Sequence, residues 1–292
     1  MIGCSQSTVS RELKRNQPPH NDVCYNPLQA HKRSEKRKYD AAKKEILKDR
    51  YIRRYVHEKL KNRWTPEQIA KRISMDYPNL KTNYESIYRY IYSVGKELIQ
   101  YLPRHHRIRR KRGKESKKHE GKISNRVSIE DRPEFVNLRI RVGDFEIDTL
   151  GSQKSKSCLQ VIVDRVTRYT WINLLNDKSA HEMMEKAIAT LKQLDPAFRK
   201  TITFDNGTEN AAHMRLKDEL DIDTYFCHTY SSWEKGTVEN TIGIIRRIFP
   251  KSTNFSLISI KQVKELEEWL NNRPRKCLNF MTPLEVMKLC TS

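Results

Sequence analysis

The sequence predicts a mixed α/β sheet with flanking helices, preceded by a small, strongly basic all-α region. Three observations predict it. Charge is divided unevenly: residues 1–130 hold 33 Lys and Arg against 14 Asp and Glu, a surplus of 19, while residues 131–292 hold 24 against 22, a surplus of 2. The front half carries helix caps and helical apolar spacing. The back half opens on three alternating apolar runs and then switches between helical and extended patterns, which suits a sheet with helices on its faces. A basic region joined to a nearly neutral one is the layout of a nucleic-acid-binding segment attached to a folded core. Taken alone, surplus lysine has a plainer reading as a solubility device.

The first helical segment is Gly3–Asn16, where Val9 and Leu13 share a face and Ser7, Ser10, Arg11 and Lys14 point outward. Such polar side chains suit the recognition helix of a helix-turn-helix, although the helix that would precede it is absent from Met1 onward. Residues 17–30 read as a loop, and His31–Lys61 as one or two helices with basic faces suited to phosphate contacts. From Trp64 the signals sharpen. Thr65, Pro66 and Gln68 make a capping box with a proline at the first helical position, and Ile69 and Ile73 form an apolar stripe. Asn83 caps a second helix with Ile87 and Ile91 inward and Arg89 outward, completing a second helix-turn-helix or a plain helical pair. Arg104–Lys122 has no hydrophobic period; Arg107, Arg109, Arg110, Lys111 and Arg112 belong to a basic linker that can lie along phosphate, and the histidines within it belong to the same charge run. The expected divisions are 1–62, 63–100, a linker at 101–135, and a folded unit at 136–292.

Within that unit, strands are expected near 142–150, 157–166 and 169–175. Ser179 and Glu182 form an expected capping box for a helix carrying Met184, Ala187, Ile188 and Leu191. A strand ending at Asp205, a short helix around 210–220, a strand at 224–227 and a helix opened by Trp233–Asn240 follow. Val263, Leu266 and Leu270 mark a final amphipathic helix.

Three carboxylates stand out. Asp148 lies in the first strand, Asp205 ends another and precedes an Asn206-Gly207 turn, and Glu239 lies on the late helix. Bunched carboxylates repel by about 4 kcal/mol per pair at about 4 Å and an effective dielectric near 20. Such a cluster needs protonation, a basic partner or a divalent cation, and oxygen donors without Cys or His favour magnesium or manganese. Glu146 and Asp144 share the face of Asp148, so Glu146 is either a supporting acid or a substitute for it. Asp164 is expected to form a strand-end ion pair. Glu234 precedes Glu239 by five residues, so both cannot face one site. Trp233 is either a base-stacking side chain or a core aromatic, with the core the expected place.

Gly143-Asp-Phe-Glu-Ile-Asp148, Phe204-Asp-Asn-Gly-Thr-Glu-Asn210 and Trp233-Glu-Lys-Gly-Thr-Val-Glu-Asn240 resemble the three catalytic motifs of bacterial insertion-sequence transposases of the IS-thirty family. Thirty-three residues separate Asp205 from Glu239, the family's spacing, and Arg246 stands seven residues past Glu239 where the family has a basic residue. Further likeness lies at Ser7–Asn16, Trp64–Ile69, Asn272-Arg-Pro-Arg-Lys276 and Thr282-Pro283, so it runs nearly end to end. Two departures are Asp144, where the family usually has His, and Ile242, where it often has Asn. The resemblance implies a ribonuclease H-like catalytic unit and strand cleavage and transfer with two Mg²⁺ or Mn²⁺ ions. Asp148, Asp205 and Glu239 would be the ligands, with Arg246 a supporting basic residue. From position alone, Glu146 is a further supporting residue, Asn206 and Asn240 either orient the carboxylates or a phosphate or serve as turn and cap residues, and Lys235 and Arg247 are phosphate partners. The implied partners are double-stranded DNA, both element ends and target, and a second copy of the chain or more.

Six cysteines show neither a C-x-x-C pair nor zinc spacing and read as reduced thiols or small core residues. No apolar run approaches the roughly 20 residues of a membrane span, and the N-terminus lacks signal-peptide character. A cytoplasmic, nucleoid-associated protein is the expectation. The rival functions are a silent, truncated transposase acting as a DNA-binding regulator and a metal nuclease that cuts without joining.

Overall fold

A computed structural model describes residues 3–16, 24–43, 47, 49–103, 123–229 and 231–291. The basic run 104–122, with Arg107, Arg109, Arg110, Lys111 and Arg112, lies outside the described residues, as does Tyr230. The front half is helical: α1 (Gln6–Asn16), α2 (Pro27–Lys43), α3 (Arg50–Lys61), α4 (Pro66–Asp76) and α5 (Tyr84–Ser93). Asp49 caps α3 by accepting from the amides of Tyr51 and Ile52, and the Thr65–Gln68 capping box opens α4 as its sequence predicts. Ile52, Val56 and Leu60 of α3 join Ile69, Ile73, Ile87 and Ile91 in one core, leaving Arg89 exposed. α1 is seated differently. Leu13 is 40% exposed, and the helix is tied to α2 through Asn16, whose carbonyl and side-chain oxygens accept from Arg33 and Arg37, each at 2.6 Å. Ser7, Ser10, Arg11 and Lys14 are all exposed.

The back half follows as α6 (Glu134–Leu138), β1 (Asp144–Ser152), β2 (Ser155–Asp164), β3 (Thr170–Leu175), α7 (Ala180–Leu191), β4 (Thr201–Phe204), α8 (Met214–Leu220), β5 (Asp223–Phe226), α9 (Gly236–Ile245), α10 (Ile260–Asn271) and α11 (Pro283–Thr291). The sheet order is β3-β2-β1-β4-β5, with β1–β2 and β2–β3 antiparallel and β1–β4 and β4–β5 parallel. This is the mixed sheet that the sequence predicts. Gly143 fixes its central seam: at φ +100° it lets the chain pass so close to Phe198 that a Cβ would stand 2.7 Å from that residue's carbonyl carbon.

Alternation along β1 decides which side chains face which layer. Phe145 and Ile147 pack with Met183, Met184 and Leu191 of α7 and Leu216 of α8. Leu150 packs on the opposite face with Val238 and Ile245 of α9 and Val263, Leu266 and Leu270 of α10. Asp144, Glu146 and Asp148 therefore lie on the α9 side. On β4, Ile202 and Phe204 enter the first core, which brings Asp205 round towards the same side as Asp148.

Several local expectations change. Ser179 caps α7, but Glu182 does not close a capping box; its carboxylate instead accepts from the amides of Asn176 and Asp177 at 2.9 and 3.0 Å, holding the turn out of β3. Asp164 makes no ion pair among the described residues. Its buried carboxylate accepts from the amides of Gly143, Val166 and Thr167 and from the Thr167 hydroxyl, because the turn after β2 supplies donors where a cation was expected. α8 starts only at Met214, since a 3-10 turn at Thr208–Asn210 comes first. A second capping box, Ser259–Gln262, opens α10.

The front helices are joined to the C-terminal segment by polar contacts. Arg72 forks onto Glu285 at 2.5 and 2.7 Å and reaches Asp76 at 2.7 Å, while Gln68 donates to the Pro274 carbonyl at 2.6 Å. The hydrogen bond from Arg72 holds Glu285 down to about 2, from an ordinary value of 4.5. A depressed carboxylate stabilises above its unfolded pKa and loses that contribution as pH falls through the folded one. Glu285 is 40% exposed, so screening keeps the effect local. Hydrogen-exchange protection of α4 and α11 is thus expected to fall as pH drops from about 4.5 towards 2 and to lose this step in Glu285→Gln. An identical acid profile in the variant would break the assignment.

Candidate active site

The site is built where β1, the end of β4 and the start of α9 meet. Lys235 is the centre of it: its side chain is 4% exposed and its Nζ lies 3.3 Å from Asp148 Oδ2 and 3.4 Å from Asp205 Oδ2, while donating to the Ile147 carbonyl at 3.1 Å. Two acids far apart in sequence thus share one buried ammonium. Asp148 also accepts from the Thr149 amide at 2.7 Å. Asp205 is held by the Gly207 amide at 3.2 Å and by Asn210 Nδ2 at 2.9 Å, and is about half exposed. Burial pushes the Asp148 carboxyl up, with Asp205 adding to the rise and Lys235 opposing it. Burial works against the charge on Lys235, but Asp148 and Asp205 outweigh it and the ammonium is raised overall.

Glu146, fully buried, determines where α9 begins. Its Oε2 accepts from the amides of Thr237 and Val238 at 2.8 and 2.9 Å, and its Oε1 receives Arg165 Nε at 3.1 Å. A carboxylate at a helix N-terminus meets unpaired amides and the positive end of the helix dipole. Glu146 is therefore committed to positioning the helix that carries Glu239. Asp144 pairs with Arg141 and accepts from the Thr201 hydroxyl, which ties β1 to β4.

The remaining residues divide. Glu239 is half-buried on α9, one turn past Lys235, and the contacts of Asp148 and Asp205 do not include it. Among the described residues, no three His, Cys, Asp or Glu side chains group so as to hold a metal ion. Asn206 donates to the Cys227 carbonyl at 2.8 Å and accepts from Arg126 at 2.6 Å. Arg246 donates to the Gly151 carbonyl at 2.6 Å, near the end of β1 far from Gly143. Asn240 and Arg247 line a cleft beside α9. Glu234 is occupied by the amide and Nδ1 of His228, both at 2.8 Å, so it does not compete with Glu239. Trp233 is 73% exposed rather than in the core, because the short 3-10 turn at Ser232–Lys235 turns Lys235 inward and its neighbour outward. Sequence reasoning points Lys235 at DNA phosphate. The only cue to its burial between two acids is its place three residues after a serine-rich turn and four before Glu239, and that cue is weak.

A basic helical front is thus joined to a mixed sheet on which two acids, Asp148 and Asp205, meet beside α9. No family model matches the chain. Individual relatives do: the transposase for insertion sequence element IS4351 of Bacteroides fragilis is 39% identical over 98% of this chain and 87% of its own length. That for IS1086 of Cupriavidus metallidurans is 32% identical over 98% and 86%, and InsI for IS30A of Escherichia coli is 33% identical over 97% and 76%. The chain belongs to this family of insertion-sequence transposases. A solved structure, the HTLV-2 integrase catalytic core domain in complex with magnesium, overlaps 50% of this chain and 96% of its own at 16% identity and a TM-score of 0.38. All six cysteines are free, and no helix among the described residues is long and apolar enough to cross a membrane.

Proposed function

We propose that the chain binds the ends of its insertion element and cuts and joins DNA with Asp148, Asp205 and Glu239. The observation that carries this reading is the shared cation: Asp148 and Asp205 already hold a positive charge between them, and the oxygens they offer suit magnesium or manganese. Asp148, held on a central strand, Asp205 and Glu239 would be the residues that hold the metal. When bound, such ions activate a water or a 3′-hydroxyl and stabilise the leaving oxygen of a phosphodiester. Glu146 orients α9, and Asn210 fixes the Asp205 carboxylate from behind. Asn240 of α9 and Arg246 and Arg247 just past its end supply polar groups towards double-stranded DNA, and α1 with the α4–α5 pair supplies the contacts that position the element ends. A dimer or larger assembly fits the need to bring two ends together.

Incubation with DNA carrying the element's terminal repeats tests this. Magnesium should give nicked or cut strands with free 3′-hydroxyls together with covalently joined products, and calcium should give neither. Cutting without joining would reduce the chain to a nuclease, and no cutting in either magnesium or manganese would leave it a DNA-binding regulator.

Lys235 gives a separate test. Its ammonium keeps Asp148 and Asp205 from facing each other unneutralised. In Lys235→Met, melting in a chelator should drop by several degrees, and magnesium should restore more of that loss than it adds to the parent. Equal magnesium responses would mean that the lysine does not stand in for a metal charge.

A further inference from the structure

A second cationic site lies beside α9. The cleft there is lined by Thr237 and Asn240 of α9, by Arg247 just past its end, by Arg168, and by Arg273 and Arg275 of the segment after α10, with Gln68 of α4 closing one side. None of its lining residues is acidic. Arg273 is 2% exposed and Arg275 8%. Even so, Nε and Nη1 of Arg273, Nε and Nη2 of Arg275, and Nε of Arg168 are buried without a hydrogen-bond partner among the described residues. Burial, then neighbouring arginines, pulls Arg273 down to about 9, and burial pulls Arg275 down to about 10.

Buried guanidinium groups are normally paired, because removing a charge from water without compensation is costly. Here the scaffold holds them in place and leaves their donors open. Arg273 lies over the Trp269 ring at 5.0 Å, the Arg275 amide donates to the Met281 carbonyl at 3.0 Å, and Gln68 fixes the intervening Pro274 carbonyl at 2.6 Å. Arg168 is anchored by its Nη1 on the Thr237 hydroxyl at 2.7 Å. Planar forks of N–H donors match the oxygens of a carboxylate or a phosphate, and no carboxylate lines this cleft. The cleft runs along α9, the helix that also carries Glu239.

We propose that this cleft is a phosphate site that takes a backbone phosphodiester of bound DNA through Arg273 and Arg275. The assignment rests on the chain's acting on DNA, but its test does not depend on cleavage. With the full chain, inorganic phosphate should raise the melting temperature by several degrees above chloride at matched ionic strength. Arg275→Gln should remove that rise. The same variant should flatten the plot of log affinity against log salt for a duplex by about 0.9, the signature of one lost phosphate contact. Its melting temperature without phosphate should hold or increase, since a buried unpaired charge is gone, and this separates a binding defect from unfolding. Arg275→Lys, which keeps charge but not the fork, should recover only part of the phosphate response.

An equal phosphate response in the parent and Arg275→Gln would overturn the site. Loss of the phosphate response with an unchanged DNA salt slope would show a free-phosphate pocket and overturn the DNA assignment. Asp148→Asn should keep both signals, so an inactive catalytic centre and a misassigned cleft give different results.

Discussion

Asp148→Asn is expected to reduce magnesium-dependent cleavage roughly 10³-fold or more, equivalent to about 4 kcal/mol of barrier, while duplex affinity stays within about twofold of the parent. The substitution keeps the geometry. The carboxamide oxygen it introduces can still accept from the Thr149 amide, and the new side chain is nearly isosteric with the one it replaces. What it removes is the negative charge that, with Asp205, holds a cation on the α9 side of the sheet. The exposed polar faces of α1 and α5 are untouched, so DNA binding should persist. Single-turnover cleavage and gel-shift titration on the same preparation check both halves. Undiminished cleavage would remove Asp148 from the chemistry; a parallel collapse of binding would point to misfolding.

The second large effect is expected at Glu146. Alanine there strands Arg165, whose side chain is 5% exposed, and leaves the amides of Thr237 and Val238 without their acceptor. Breaking a buried pair from one side costs about 3–5 kcal/mol, which for a unit of this size lowers the melting temperature by roughly 10 °C. Glu146→Gln, which can still accept from the helix amides, should lose less. Calorimetry of the two variants decides it, and an alanine variant that melts with the parent would mean that α9 is seated by its apolar contacts alone.

Much of this fold was legible from local rules. The three opening strands, the Thr65 cap and the stripe of Val263, Leu266 and Leu270 each follow from residues a few positions apart. The face on which Asp148 lies was legible too, because alternation along β1 is set by its neighbours. Glu146 was harder. Its partners are backbone amides 91 and 92 positions downstream, and no side-chain pattern announces a bare N–H. Trp233 and Lys235 exchanged their expected places for a related reason. Hydrophobicity sends tryptophan inward and lysine outward, but a single turn of 3-10 helix overrode both, because two acids stabilise the buried ammonium. Arg273 and Arg275 were visible as a motif but not as interior residues, since arginine is ordinarily a surface residue.

Because Asp144, Glu146 and Asp148 occupy every second position of a strand wedged between two apolar layers, that strand has a parity. Losing or gaining a single residue between Gly143 and Asp148 would turn the acids into the layer of Phe145 and drive phenylalanine against α9, whereas a change of two would preserve sidedness. Natural variation in this stretch should therefore come as replacements or as paired insertions and deletions, and an odd-numbered one should survive only where a bulge absorbs it.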